Sequence, residues 1–186
     1  MPRYSERANV YNVSPSAFLD SHPQYDCLAV SALVMFGVTP NTRALIVRRG
    51  SGASLPGKWE IPTGPCNPDL TILDSLTSIL LEETRVRVEF IADLAGMETF
   101  DIQSGKRVCK LTFVVQSKND IPMTLQKYDA WDLISLDEAS QARSINFGLL
   151  DLISAPHREV ILQGFEKYDQ CLELRHWCHG GTMTYT

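Results

Sequence analysis

Glu82 and Glu83 close the stretch Thr71 to Thr84, in which Ile72, Leu73, Leu76, Ile79 and Leu80 recur at the spacing of one helical stripe. Wound as a helix, that stretch puts Glu83 in the middle of its own apolar sector and brings Ile79, Glu82 and Glu83 to one edge. Two carboxylates at the C-terminal end of a helix meet the negative end of its dipole, which a cation or a proton relieves. Either relief is chemistry. One is a bound divalent ion; the other is a carboxyl group whose pKa is raised by desolvation until it can exchange a proton near neutral pH. A plainer reading of the same residues is a solvated Glu82 and a paired, partly buried Glu83.

The elements that must position this pair are legible on either side of it. Cys27 to Val38 and Arg43 to Arg49 are β-branched and apolar runs around the turn Thr39 to Thr42, and read as a hairpin. Gly50, Gly52, Pro56 and Gly57 mark a loop, after which Trp59-Glu60-Ile61-Pro62 is a short extended piece. Val86 to Leu94 and Arg107 to Gln116 follow the helix as strands, the second alternating as a half-buried strand does. Lys118 to Pro122 reads as a turn, Asp132 to Ser135 as a strand running into a helix start at Asp137-Glu138, and Pro156 to Tyr168 as a closing helix. Ser14 and Pro15 start a short helix in a lead-in of residues 1–24. The organisation expected is that extension, one domain over 25–169, and a tail over 170–186.

The run Leu45 to Arg49, the segment Pro56-Gly57-Lys58-Trp59-Glu60-Ile61-Pro62-Thr63-Gly64 and a helix ending Leu80-Leu81-Glu82-Glu83-Thr84 together resemble the Nudix hydrolase superfamily. Laid on its signature, G-x5-E-x7-R-E-U-x-E-E-x-G-U with U a bulky aliphatic, from Gly64 onward, Leu80, Glu82, Glu83 and Val86 match. Leu70 and Ile79 stand where the signature has Glu, Ser78 where it has Arg, and Arg85 where it has Gly. The further Glu that many members carry before the late strand falls on Lys127. The resemblance implies an α/β fold, the Nudix-type α/β/α sandwich with a mixed central β-sheet. It implies Mg²⁺ or Mn²⁺ held by the helix acids, but here only Glu82 and Glu83 remain of the set, so no metal is expected. Arg85 in place of Gly disfavours the left-handed turn that ends the helix.

Three functions compete. The favoured one is a repurposed enzyme with no required cofactor, in which Glu82 or Glu83 serves as catalytic acid or base in an isomerisation or cyclisation of a small, largely apolar molecule. The loss of acids at Leu70 and Ile79 makes a drier hollow suited to such a substrate. The second is a Mg²⁺- or Mn²⁺-dependent pyrophosphohydrolase of a nucleoside diphosphate derivative, and the third a non-catalytic ligand-binding module. Candidate substrate-binding residues are Arg48, Trp59, Glu60, Cys66, Ile79 and Trp131; of Arg48 and Arg49 only one can enter a pocket, because neighbouring strand residues face opposite ways. Cys171, His176, Cys178 and His179 match no standard zinc spacing.

Composition narrows the partners. A net charge of -5, from 17 Lys and Arg against 22 Asp and Glu, with no basic run, argues against a nucleic acid polymer. The longest apolar run, Leu28 to Phe36, is too short for a membrane span, and five scattered cysteines suit reduced thiols. The expectation is a soluble cytoplasmic protein, compatible with a homodimer. Under the hydrolase reading, Ser78→Arg with Ile79→Glu creates or raises phosphate release from nucleotide derivatives if the rest of the site survives, and Glu82→Gln abolishes it; a phosphate-release screen with Mg²⁺ or Mn²⁺ checks both.

Overall fold

The structure, a computed structural model, describes residues 2–117 and 127–179, side chains beyond Leu172 excepted. The elements are β1 (Arg3–Tyr4), α1 (Glu6–Asn9), α2 (Pro15–Ser21), β2 (Cys27–Phe36), β3 (Arg43–Arg49), β4 (Trp59–Glu60), β5 (Thr63–Pro65) and α3 (Ile72–Thr84). They continue with β6 (Val88–Asp101), β7 (Arg107–Ser117), β8 (Tyr128–Ile134), α4 (Leu136–Gln141), β9 (Arg143–Ser144), β10 (Gly148–Leu149) and α5 (Ala155–His179). The turn expected at Lys118 to Pro122 lies outside the described residues.

One mixed sheet runs β1-β6-β7-β2-β3-β4, with β5 paired to β2 and β8 to β3. β2 lies parallel to β7 and β1 parallel to β6, while β6 and β7 form an antiparallel hairpin. The expected β2–β3 hairpin is narrow: the two strands pair only at Met35–Ala44 and Phe36–Arg43 before β2 turns to β5 and β7, and β3 to β8. Trp59 is also bridged to Leu152, through Trp59 N–H to Asp151 O and Ile153 N–H to Trp59 O. That bridge draws the chain before α5 against β4.

Side-chain alternation divides the interior into two cores. Leu28, Val30, Ala32 and Val34 of β2 and Cys109, Leu111, Phe113 and Val115 of β7 face α3, where Ile72, Leu73, Leu76 and Leu80 are buried against them. On the opposite face Leu33, Met35 and Val114 meet Val160, Ile161, Phe165 and Tyr168 of α5. β7 is therefore buried from Val108 to Val115 rather than half-buried, because helices cover both faces of the sheet.

Segments near both ends of the described chain pack on these cores. β1 pairs with β6, Ala8 and Phe18 are buried against the α3-side core, and α5 continues to His179 with Cys171 and Leu172 packed on its own core. Short apolar stretches in residues 2–24 gave little periodic signal; burial comes from the strand edge they meet. No helix among the described residues is long and apolar enough to cross a membrane.

α5 approaches the sheet closely because Gly164 has no side chain: a Cβ there would stand 2.1 Å from Leu33 Cδ2, in a position where Leu33 is wholly buried. Gly164→Ala should lower stability by roughly 1–3 kcal/mol through overpacking, after any gain in helix propensity of about 1 kcal/mol is offset. Denaturant unfolding measures this, with Gly52→Ala, which meets nothing within 4 Å, as the near-neutral control.

Candidate active site

α3 begins where Thr71 Oγ1 accepts the Asp74 N–H, and ends at Arg85 in the left-handed region at φ 58°. The expectation that Arg85 would oppose this turn is corrected: the turn is kept, with the Arg85 N–H bonded to Leu81 O, and the backbone strain is borne by a non-glycine residue. This ending sets the last turn so that Glu83 points toward the sheet and Glu82 away from it. Ser78 Oγ donates to Glu82 Oε1 at 2.6 Å on the exposed face. The two acids thus do not converge.

Glu83 meets the start of β8 instead. Lys127 Nζ lies 2.5 Å from Glu83 Oε1, and the Tyr128 hydroxyl donates to Glu83 Oε2 at 3.0 Å. Lys127 Nζ also donates to the Thr63 carbonyl at 2.6 Å, while the Thr63 N–H donates to the Tyr128 oxygen at 3.3 Å. Burial raises the pKa of Glu83, against the lowering effects of Lys127 and Tyr128. Burial and the nearby charges of Glu83 and Glu60 raise that of Tyr128, which keeps its hydroxyl proton.

Beside this cluster opens a cleft of about 520 Å³, lined by residues of β3, β4, β5, β6, β7 and the start of α5 with the segments before β4 and α5. Its polar wall is Arg49, Glu60, Thr63, Glu98 and Lys110; its apolar wall is Leu55, Met97, Phe100, Ile153 and Pro156. A smaller recess, lined by Lys127 and Tyr128, shares Arg49, Ser54 and Glu60 with the cleft. Arg49 grips the buried Glu60 with two bonds, Nε to Oε1 at 2.8 Å and Nη2 to Oε2 at 2.9 Å. Lys110, inside the sheet on β7, pairs with Glu98 on β6 at 2.5 Å, and His157 lies behind them with no exposed surface.

The network assigns the histidine's tautomer. Ile61 N–H donates to His157 Nε2, so Nδ1 carries the proton and points it at Glu98 Oε2, 3.4 Å away. Burial, reinforced by the charge of Lys110, holds the His157 pKa below its ordinary value. Burial pushes Glu98 upward, but the His157 bond and the Lys110 charge outweigh it and bring its pKa down to about 2.

Of the residues singled out from the sequence, Glu60 lines the cleft. Arg48 does not: it pairs with Asp129 at 2.7 Å and lies over Trp59 and Phe147, so Arg49 is the arginine of that pair that faces the cleft. Trp59 is buried in the α5-side core, and Trp131 packs on the α3-side core. Ile79 packs on that core too, and a Cβ on Gly64 would meet its Cδ1 at 2.9 Å. Cys66 packs there as well, its thiol pKa pushed up by burial to about 12, which leaves it a poor nucleophile. Arg49 had been weighed only as the alternative to Arg48, and Glu98, Lys110 and His157 were not singled out. The available signal was a lysine inside the apolar run Val108-Cys109-Lys110-Leu111, and a buried lysine requires a partner.

The sequence family described as NUDIX domain matches residues 28–155, and the chain belongs to that family. Its fold is shared with the MutT protein of Methanosarcina mazei Go1 (TM-score 0.60, 21% identity, 76% of this chain and 94% of that one). It is shared also with the NUDIX domain of Shewanella oneidensis NrtR, whose structure is a complex with ADP ribose (0.58, 18%, 88% and 99%), and with an Ap4A hydrolase of C. elegans (0.55, 13%, 80% and 98%). No curated protein sequence matches the chain significantly.

The residues present do not fit the divalent ion that the family implies. Octahedral Mg²⁺ or Mn²⁺ draws on several convergent oxygen ligands. Here Glu82 faces solvent, Glu83 is engaged by Lys127 and Tyr128, and Ile79 is apolar. Among the described residues no three His, Cys, Asp or Glu side chains form a group able to hold a metal. Of the tail set, Cys171 packs into the α5-side core, and the side chains of His176, Cys178 and His179 lie outside the described residues.

A pH dependence of stability follows from Glu98 and His157. Both have folded pKa values below their ordinary ones, so the unfolded chain binds their protons first as pH falls. Stability is thus present above the ordinary histidine value of 6.5, starts to fall through His157 as pH drops below it, and falls further through Glu98 from 4.5 towards about 2. Glu83, shifted the opposite way, contributes no loss on the acid side. Denaturant midpoints across this range should show both limbs, and Glu98→Gln should flatten the lower one.

Proposed function

We propose that this chain binds a small molecule of low net charge and substantial apolar surface in the cleft between β4, β6, β7 and the start of α5, without a divalent cation. The observation that carries this reading is the pairing of charge around the site. Arg49 is matched by Glu60, Lys110 by Glu98, and Lys127 by Glu83. A diphosphate would bring strong negative charge to a wall with no net positive charge, and without a bridging ion nothing offsets its desolvation. A ligand with hydrogen-bonding edges and an apolar body instead meets donors and acceptors already held in place, and the side chains of Leu55, Met97, Phe100 and Ile153.

NrtR binds ADP ribose and the C. elegans enzyme is an Ap4A hydrolase. A nucleotide-derived ligand is therefore the natural competitor for the same cleft. The hydrolase reading needs the family's ion, and the acids of α3 do not gather for one. Proton transfer in an isomerisation or cyclisation would call on Glu83, whose pKa burial raises. Glu83, however, lies behind Lys127 and Tyr128 and is absent from the lining of the cleft. Binding is the stronger reading for that reason.

Ligand-observed NMR against neutral heteroaromatic molecules and against ADP ribose and other diphosphates, each with and without Mg²⁺, separates these outcomes. Neutral ligands should bind irrespective of Mg²⁺, and Phe100→Ala should weaken them about tenfold, or about 1.4 kcal/mol. Tighter Mg²⁺-dependent binding of diphosphates, with phosphate release, would return the chain to the hydrolases. Turnover of a bound neutral ligand that is lost in Glu83→Gln would establish the proton-transfer reading.

A further inference from the structure

Lys127 carries an inference that is independent of what fills the cleft. We propose that Lys127 is a tethered cation that stands in for the divalent ion at the end of α3, so that a positive charge is supplied by the chain itself. Its Nζ is bracketed by two oxygens of the kind a hard cation selects, Glu83 Oε1 at 2.5 Å and the Thr63 carbonyl at 2.6 Å. These come from separate elements, α3 and β5, and they converge on this ammonium. The other carboxylate oxygen of Glu83 accepts from the Tyr128 hydroxyl, so both oxygens are already engaged.

The sequence position agrees with the geometry. Lys127 falls where the resemblance to the family places an additional glutamate, which exchanges a ligand for a cation at one step. A divalent ion approaching Glu83 and Thr63 would meet the ammonium at contact distance, and like-charge repulsion would exclude one or the other. Because the ammonium is attached through a lysine side chain, its local concentration is fixed and the pairing is independent of ions in solution. Lys127 also lines the smaller recess beside the cleft.

The test is Mn²⁺ binding by the full chain, followed by electron paramagnetic resonance of the free ion and by the thermal midpoint with and without Mn²⁺. Wild type should leave Mn²⁺ free. Lys127→Glu, which joins a second carboxylate to Glu83 and the Thr63 carbonyl, should bind Mn²⁺ at least about tenfold more tightly and be thermally stabilised by it. Adding Glu83→Gln to Lys127→Glu should remove the gain. Ser78→Arg with Ile79→Glu should create no Mn²⁺ site while Lys127 is present, and should create one once Lys127 is replaced. Should Lys127→Glu not fold, Lys127→Gln keeps the length without the charge and should still bind Mn²⁺ more tightly than wild type. Wild-type binding equal to that of a folded Lys127 variant, whether both are tight or both absent, overturns the proposal. These outcomes concern Mn²⁺ alone and are unaffected by the choice of ligand for the cleft.

Discussion

A carboxylate held half-buried at the C-terminal end of a helix is the constraint around which this site is arranged. Glu83 faces the negative end of the α3 dipole and stands close to a second buried acid, Glu60, so its ionised form is opposed both by desolvation and by charge. Lys127 and Tyr128 compensate, and both lie where the chain enters β8. The same contacts tie α3, β5 and β8 together, because Lys127 and Tyr128 each also bond the backbone of Thr63. Local electrostatics and the packing of three elements are thus one feature.

The pattern recurs along the cleft wall. Glu60 is gripped by Arg49 and Glu98 by Lys110, each pair joining neighbouring strands: β3 with β4, and β6 with β7. Buried ion pairs are an expensive way to hold strands together, since desolvation consumes much of the Coulombic gain and apolar residues would serve as well. Their placement is what distinguishes them. They line a concave surface, with His157 fixed behind Glu98 by the Ile61 N–H, and apolar side chains share the lining. Preorganised polar groups set among apolar side chains suit selection of a ligand by its hydrogen-bonding edge better than strengthening of the fold.

Much of the scaffold was legible because it is written in periodicity and punctuation. The stripe from Ile72 to Leu80 with Thr71 before it specifies α3 to within a residue, and Ser14-Pro15 specifies α2. Alternation told that Arg48 and Arg49 face opposite ways, but not which way, because that is set by β3 pairing with β4 and β8. Glu83 was recognisable as an acid within an apolar sector; its partners were not, since Lys127 and Tyr128 lie more than forty residues away and are brought in by the sheet. The wheel that placed Glu82 beside Glu83 treated a shared edge as convergence, whereas Ser78, one turn back, gives Glu82 a nearer partner on the outer face. Arg85 shows the limit of propensity: the helix ends as a glycine would end it, because the packing of α3 and β6 determines where the chain must turn.

The scaffold and the chemistry have separated in this chain. Everything that shapes the Nudix fold is kept: two cores on the faces of a mixed sheet, the α3 helix packed across Gly64, and the left-handed exit at Arg85. What is altered is the charge at one end of it. Replacing acids by Ile79 and Leu70 removes negative charge, and placing Lys127 beside Glu83 adds positive charge, so both changes move the site toward neutrality without an ion. Loss of ligands alone would leave Glu83 uncompensated in a half-buried position, which is costly. That the compensation is present, with good geometry on both carboxylate oxygens, argues that the site has been rebuilt around a different electrostatic solution rather than left to decay.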